Sequence, residues 1–190
     1  MKEREWVETI IERIEKASKD FISKDLRVTD GRKLPYANEI LSYKGTQPFD
    51  QHLIRYETDI LVYEQINEEE WKPRIIIEAK KGKITTHDSI TYSNKAQTHK
   101  QVHPYLRYGI LIGDRRHYPL PGRLFRHGQQ FDFMQSWKTL NADSKEWSTF
   151  IDILRSEYEA SLALDEIIFN SRSSNRERYT SLHKPLNLGR

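Results

Sequence analysis

Two apolar segments decide the fold of this chain: Thr58-Asp59-Ile60-Leu61-Val62-Tyr63 and Arg74-Ile75-Ile76-Ile77-Glu78-Ala79-Lys80. Both are rich in β-branched and aromatic residues, and a polar turn at residues 67–70 separates them, so they predict two antiparallel strands. Because each run is apolar on both faces, we expect interior strands that helices cover on either side. The sequence therefore predicts an α/β fold with a central sheet.

The segments around these strands predict the covering helices. Apolar residues at spacings of three and four favour the first and last helices, and a Pro or a capping residue marks several of the ends. Helices are predicted over residues 3–22, 35–43, 87–102 and 144–169, and a further strand over residues 106–112. We expect residues 1–170 to form a single domain and residues 171–190 to form a basic C-terminal tail.

Composition narrows the class of protein. The chain has 190 residues, 36% of them hydrophobic, which is enough to build one core and excludes a disordered chain. It contains no Cys, which excludes disulfide frameworks, thiolate metal sites and a Cys nucleophile. No apolar run approaches the ~20 residues that span a bilayer, so we expect a cytoplasmic, unanchored protein.

The surplus of positive charge lies in the tail. The net charge is +3, and residues 171–190 carry five Lys and Arg side chains against one Glu. Such a segment suits contact with a polyanion, but it is equally typical of a solvated tail.

One acidic residue stands at the start of the first apolar strand, and another stands near the end of the second. Alternation along the second strand puts Glu78 and Lys80 on one face, and antiparallel pairing brings Asp59, at the start of the first strand, close to both. Burying two acids is costly unless a cation is held there, and carboxylate oxygens are the ligands that Mg²⁺ prefers. The alternative is an ordinary α/β domain in which Glu78 and Lys80 form a surface ion pair, worth under ~1 kcal/mol.

Thr58-Asp59 and Glu78-Ala79-Lys80 resemble the signature of the PD-(D/E)xK nucleases, in which an acid opens one core strand and Glu-x-Lys closes the next. Thr58 stands where the family name has Pro, and the resemblance covers residues 50–114. It implies a restriction-endonuclease-like fold, with a mixed central sheet flanked by helices, to which the helical periodicity of the sequence adds an N-terminal helix and a long C-terminal helix. It also implies a Mg²⁺-dependent endodeoxyribonuclease, active in restriction or DNA repair, in which Mn²⁺ substitutes for Mg²⁺.

The resemblance further implies roles for individual residues. Asp59 and Glu78 bind the metal together with the Ala79 carbonyl, and Lys80 positions the attacking water and stabilises negative charge. Members of the family often add an acid from a helix before the first strand. Glu39 is the first choice for that acid, with Glu12 behind it.

Other candidate residues follow the second strand. Gln101-Val102-His103-Pro104-Tyr105 resembles the Gln-x-x-x-Tyr element of one branch of the family, which makes Gln101 and Tyr105 candidate supporting residues. Basic side chains close to the proposed centre, and others interleaved with aromatic residues in a loop marked by Pro and Gly, suit phosphate contact and base stacking. The candidate DNA-binding residues are Lys81, Lys83, Lys100, Arg115, Arg116, Arg123 and Arg126.

The sequence is also compatible with two other functions. One is a non-catalytic nucleic-acid-binding subunit that retains the nuclease fold, and the other is an unrelated α/β interaction protein. Relatives of the nuclease type often act as dimers, so we expect a homodimer or a partner subunit if both strands of DNA are cut.

Overall fold

A computed structural model describes residues 1–21, 23–115, 119–170 and 172–189, which contain four helices and seven strands. The elements in chain order are α1 (Glu3–Phe21), β1 (Leu26–Thr29), β2 (Lys33–Lys44), β3 (Gln47–Glu57), β4 (Ile60–Gln65), β5 (Trp71–Lys81), α2 (Thr86–Val102), β6 (Arg107–Gly113), α3 (Gly122–His127), β7 (Phe133–Ser136) and α4 (Ser144–Phe169).

Five strands form a mixed central sheet in the order β1-β4-β5-β6-β7. β1 and β5 both pair with β4 in antiparallel fashion, whereas β6 is parallel to β5 and to β7. The parallel step from β5 to β6 needs a crossover, and α2 provides it. The predicted α/β class, with a mixed central sheet flanked by helices, is confirmed.

Helices α1 and α4 cover one face of the sheet. The stripe of Trp6, Ile10 and Ile14 on α1 is buried against this face, together with Phe150 and Leu154 of α4. Each such side chain stabilises the fold by about 1.5–3 kcal/mol. These contacts attach the long C-terminal helix firmly to the sheet.

The capping signal predicted for α4 is present. Asp143 accepts a hydrogen bond from the Glu146 N–H at 2.8 Å, and the Glu146 carboxylate accepts one from the Asp143 N–H at 3.0 Å. This reciprocal pair fixes the start of the helix at Ser144.

Helices α2 and α3 cover the opposite face. The buried residues of α2 are Ser89, Ser93, Ala96 and His99. Because the side chains of Ser and Ala are small, α2 packs close to the apolar face that includes Ile76 of β5. This is also the face toward which Glu78 points.

Strands β2 and β3 form a separate two-stranded hairpin, called the arm below, which turns at Gly45 with φ of +64°. The predicted helix over residues 35–43 is therefore wrong, because this segment is part of a strand that pairs with residues 48–55. Apart from its base the arm is exposed, and Phe49 near its tip is 68% exposed. An isolated stretch without a buried face leaves no burial pattern in the sequence from which its strands could be predicted.

Hydrogen bonds close the arm where it leaves the sheet. The Gly31 N–H donates to the Thr58 carbonyl and the Thr58 N–H donates to the Arg32 carbonyl, both at 3.0 Å. The chain thus returns to the sheet directly before Asp59.

Other boundaries differ slightly from the predictions. The strand predicted over residues 58–63 begins at Ile60, and the loop that follows β6 contains the short helix α3. Residues 172–189 are exposed and form neither helix nor strand. None of the helices in the described ranges has the length and apolarity to cross a membrane.

Candidate functional site

The pairing of β4 with β5 brings the two candidate acids together. Ile60 pairs with Ile77, so Asp59, one residue earlier, stands next to Glu78. The Ala79 N–H donates a hydrogen bond to Asp59 Oδ2 at 2.9 Å. The Asp59 carboxylate is thereby held against the main chain of the strand that carries Glu78.

Glu78 is a buried acid with two side-chain donors. Lys95 Nζ of α2 lies 3.2 Å from Oε1, and the Tyr108 hydroxyl of β6 donates to the same oxygen. Burial, the largest cause, and the neighbouring charge of Asp59 raise the pKa of Glu78 to about 7, although the charge of Lys95 and the hydrogen bonds from Tyr108 and Lys95 act to lower it. The alternative of a surface pair with Lys80 is wrong, because Glu78 is buried and its partner is Lys95.

Lys80 extends beyond the buried part of β5. Its side chain is partly exposed and makes no hydrogen bond or salt bridge with the residues that the structure describes. Although burial raises the pKa of Asp88, hydrogen bonds from Thr85 and the charge of Lys80 lower it overall. The Lys80 ammonium therefore lies near the start of α2, next to the proposed centre.

The donor atoms fit a hard divalent cation. Within the described ranges Asp59 Oδ1 accepts no hydrogen bond, and the Asp59–Glu78 pair places two negative charges together at the cost of a raised Glu78 pKa. No group of three or more acidic or His side chains suited to a metal occurs in the described residues. Asp59, Glu78 and the Ala79 carbonyl would supply oxygen ligands, and Mg²⁺ in proteins commonly keeps several water ligands in addition.

The candidates for an additional acid lie apart from this centre. Glu39 is exposed on β2 and pairs with His52, and Glu12 is exposed on α1. Instead Glu3, in the first turn of α1, accepts a hydrogen bond from the Lys81 N–H at 2.9 Å. Glu3 is exposed, but it lies three residues before the buried Trp6 and therefore on the same face of α1, which is the signal that could have identified it.

Gln101 and Tyr105 are not brought to the centre. Gln101 is exposed in the last turn of α2. Tyr105 is buried against Phe169, at 6.0 Å between ring centroids, and lies over the guanidinium of Arg74. Arg74 precedes Glu78 by four residues on β5, so this contact lies about 13 Å along the strand from Glu78.

Several of the candidate DNA-binding residues surround the carboxyl ends of β5 and β6. Lys81 Nζ donates to the Met1 carbonyl at 2.9 Å, and Arg123 of α3 donates to the Ile84 carbonyl at 3.1 Å. Burial, and to a smaller extent the charge of Arg123, lower the pKa of Arg115. Lys83 is exposed just before α2.

The remaining basic candidates are placed differently. Lys100 is engaged in an internal salt bridge with Asp132 at 2.7 Å, toward the far end of α2. Arg126 is exposed on α3, and Arg116 lies outside the described residues.

Sequence reasoning missed Lys95 and Tyr108. Helix α2 has no apolar stripe, so its periodicity does not show which lysine faces the sheet. The sequence feature that marks its buried face is the series of small residues that ends at His99. Tyr108 shares a face with Ile110 and could have been found from the alternation along β6.

No family model matches the chain, and no curated protein matches it at a significant level. Any function assigned to the chain therefore depends on its own residues and their geometry.

Proposed function

We propose that the protein is a Mg²⁺-dependent endodeoxyribonuclease of the restriction-endonuclease-like fold, with Asp59, Glu78 and Lys80 at its centre. The observation that carries this proposal is the juxtaposition of Asp59 with a buried Glu78 whose pKa is raised to about 7. Acids held together at such a cost are typical of functional sites. The mixed sheet, in which β4 is the antiparallel neighbour of β5 and β6 is its parallel neighbour, also supports the proposal.

Each residue has a role that follows from its position. Asp59 and Glu78 would hold the cation, together with the Ala79 carbonyl. A divalent cation held there would supply an activated water and offset negative charge on the reacting phosphate. Lys80 is free of internal salt bridges in the described ranges and partly exposed, so its ammonium can orient the attacking water and stabilise the developing charge.

We propose that DNA lies across the carboxyl ends of β5 and β6. Lys81 ends β5, and Lys83 and Arg115 lie within two residues of the ends of β5 and β6, respectively. Arg123 donates to the carbonyl of Ile84, the residue after Lys83. Contacts of Lys and Arg with phosphate oxygens position a nucleic acid without reading its sequence. Cleavage of both strands by one centre per chain would require a second copy or a partner subunit.

The geometry of the acids favours catalysis over a purely binding role. A subunit that only binds a polyanion gains nothing from two carboxylates beside the binding surface, because they repel phosphate. A role as a non-catalytic binding subunit therefore does not explain the Asp59–Glu78 pair.

Incubation of the purified protein with DNA and Mg²⁺ or Mn²⁺ tests the proposal. Supercoiled, linear, branched and single-stranded DNA, with RNA alongside, define the substrate class. We expect cleavage of DNA, and Asp59→Asn or Lys80→Ala should lower the rate by roughly a hundredfold or more. Asp152→Asn, the same kind of change at an exposed position of α4, should cleave like the wild type.

Circular dichroism spectra establish that each variant is folded. Wild-type rates in either site variant contradict the assignment of the centre. Salt-sensitive DNA binding without cleavage by the wild type would instead support the non-catalytic subunit.

A further inference from the structure

The acid of the Glu-x-Lys motif is paired with a lysine from outside the motif. Lys95 Nζ lies 3.2 Å from Oε1 and 3.4 Å from Oε2 of Glu78. The side chain of Lys95 is 21% exposed and that of Glu78 is 2% exposed. Because water screens such a pair poorly, the attraction between the two charges is strong. Glu78 therefore has a cationic partner supplied by the protein itself.

Two tyrosine rings hold the Lys95 ammonium beside Glu78. Nζ lies 5.6 Å from the ring centroid of Tyr56 and 5.5 Å from that of Tyr92, within the range of cation–π contact. Tyr56 belongs to β3 and stacks on Tyr36 with 3.8 Å between centroids, whereas Tyr92 precedes Lys95 by one turn of α2. Lys95 is thus fixed from two elements and differs from a mobile surface lysine.

We propose that Lys95 is a positioning residue that acts as the internal counter-ion of Glu78, and that a divalent cation binds this centre by displacing the Lys95 ammonium from the carboxylate. The inference rests on the proposed metal centre of Asp59 and Glu78. Asp59 is bound by the Ala79 N–H and has no such ammonium partner among the described residues. Glu78 is therefore the ligand at which the exchange of cations takes place.

The exchange makes metal binding weaker than the two carboxylates alone would make it. A divalent ion must displace the Lys95 ammonium from Glu78. It is then repelled by that ammonium, which Tyr56 and Tyr92 continue to hold nearby. Removing the positive charge should therefore tighten metal binding. Without Lys95 a proton competes more strongly for Glu78, but the repulsion on a doubly charged ion is about twice that on a proton, so the net effect still favours the metal.

Titration of the full chain with MnCl₂ at pH 8 and low salt, followed by calorimetry and by thermal melting, tests the inference without an activity assay. We expect Lys95→Met to lower the Kd for Mn²⁺ by roughly tenfold or more. The rise of the melting midpoint on adding Mn²⁺ should be correspondingly larger than in the wild type. Lys95→Arg keeps the charge and should bind Mn²⁺ within about threefold of the wild-type Kd.

Lys100→Met is the matched control. Lys100 lies on the same helix, is 22% exposed and forms a salt bridge with Asp132, but it lies away from the acids. Its replacement should leave the Kd for Mn²⁺ unchanged. If circular dichroism shows that Lys95→Met is unfolded without metal, Lys95→Gln provides the same loss of charge with an amide that still donates to Glu78.

The outcomes separate the inference from the function on which it rests. An unchanged or higher Kd in the folded charge-removing variant overturns the counter-ion role, while wild-type Mn²⁺ binding that Asp59→Asn abolishes still supports the metal centre. A wild type that does not bind Mn²⁺ at all overturns both.

Discussion

The central sheet and the arm are both built from β-strands, yet they are stabilised in different ways. Strands β4, β5 and β6 are covered on both faces, and Ile60, Ile76, Ile77 and Ile110 have no measurable exposure. The arm beyond its base has no covered face. Since a two-stranded hairpin alone is marginally stable in water, the sheet defines the fold and the arm depends on it.

The difference between the sheet and the arm also bears on the two candidate acids. Glu78 lies within the rigid sheet, whereas Asp59 lies at the point where the arm rejoins it. The bond from the Ala79 N–H to Asp59 then ties the second acid to the rigid part. The separation of the two carboxylates is therefore set by the sheet.

The largest expected effect separates the two regions by stability. Ile77→Ala removes a completely buried side chain from β5 and should lower the free energy of unfolding by about 2–5 kcal/mol. Ile40→Ala makes the same chemical change in the arm, where the residue is 43% exposed, and should cost less than about 1 kcal/mol. Urea denaturation measures both. Equal losses would mean that the arm belongs to the same cooperative core.

A second prediction uses the titration of the buried acid. Glu78 has a pKa of about 7 in the folded protein against an ordinary value of 4.5. The folded chain holds a proton that the unfolded chain releases between these values, so stability falls as the pH rises through this window. Glu78→Gln removes this dependence on pH. As the pH rises from 4.5 to 8, the free energy of unfolding of Glu78→Gln should therefore increase by roughly 3 kcal/mol relative to that of the wild type.

Urea denaturation in EDTA at several pH values measures this difference. Burial lowers the pKa of His99 to about 4, which makes stability rise with pH between 4 and 6.5. This opposite trend is common to both proteins and cancels in their difference. Glu39→Gln, at an exposed position of the arm, should keep the wild-type dependence on pH. A pH-independent difference between Glu78→Gln and wild type contradicts the assignment.

The smallest expected effect is confined to the arm. Gly45 adopts φ of +64°, and a Cβ at this position would have no atom within 4 Å, so Gly45→Ala adds backbone strain of about 1 kcal/mol without a clash. Amide hydrogen exchange in the arm should become about fivefold faster. The global melting midpoint should stay the same, and a fall in it would show that the arm unfolds together with the sheet.

How far the sequence reveals this structure depends on burial. Strands such as β5 and the helix α4 are predictable because their apolar residues recur with the period of the element. The arm is not, because an exposed hairpin has no such pattern, and residues 35–43 then resemble a short helix. The sequence indicates Asp59 and Glu78 as candidates because each stands at one end of an apolar run. It gives no sign of Lys95, because α2 is nearly as polar on its buried side as on its exposed side.

The hydrogen bonds between Gly31, Arg32 and Thr58 have a consequence for changes in chain length. The chain leaves the sheet and comes back at the same place, so a change in the length of the segment between Arg32 and Thr58 does not have to move the strands of the sheet. The arm can therefore be shortened or extended from its tip as far as Tyr56, which contacts Lys95. Insertions and deletions within these limits should leave the arrangement of Asp59 and Glu78 unchanged.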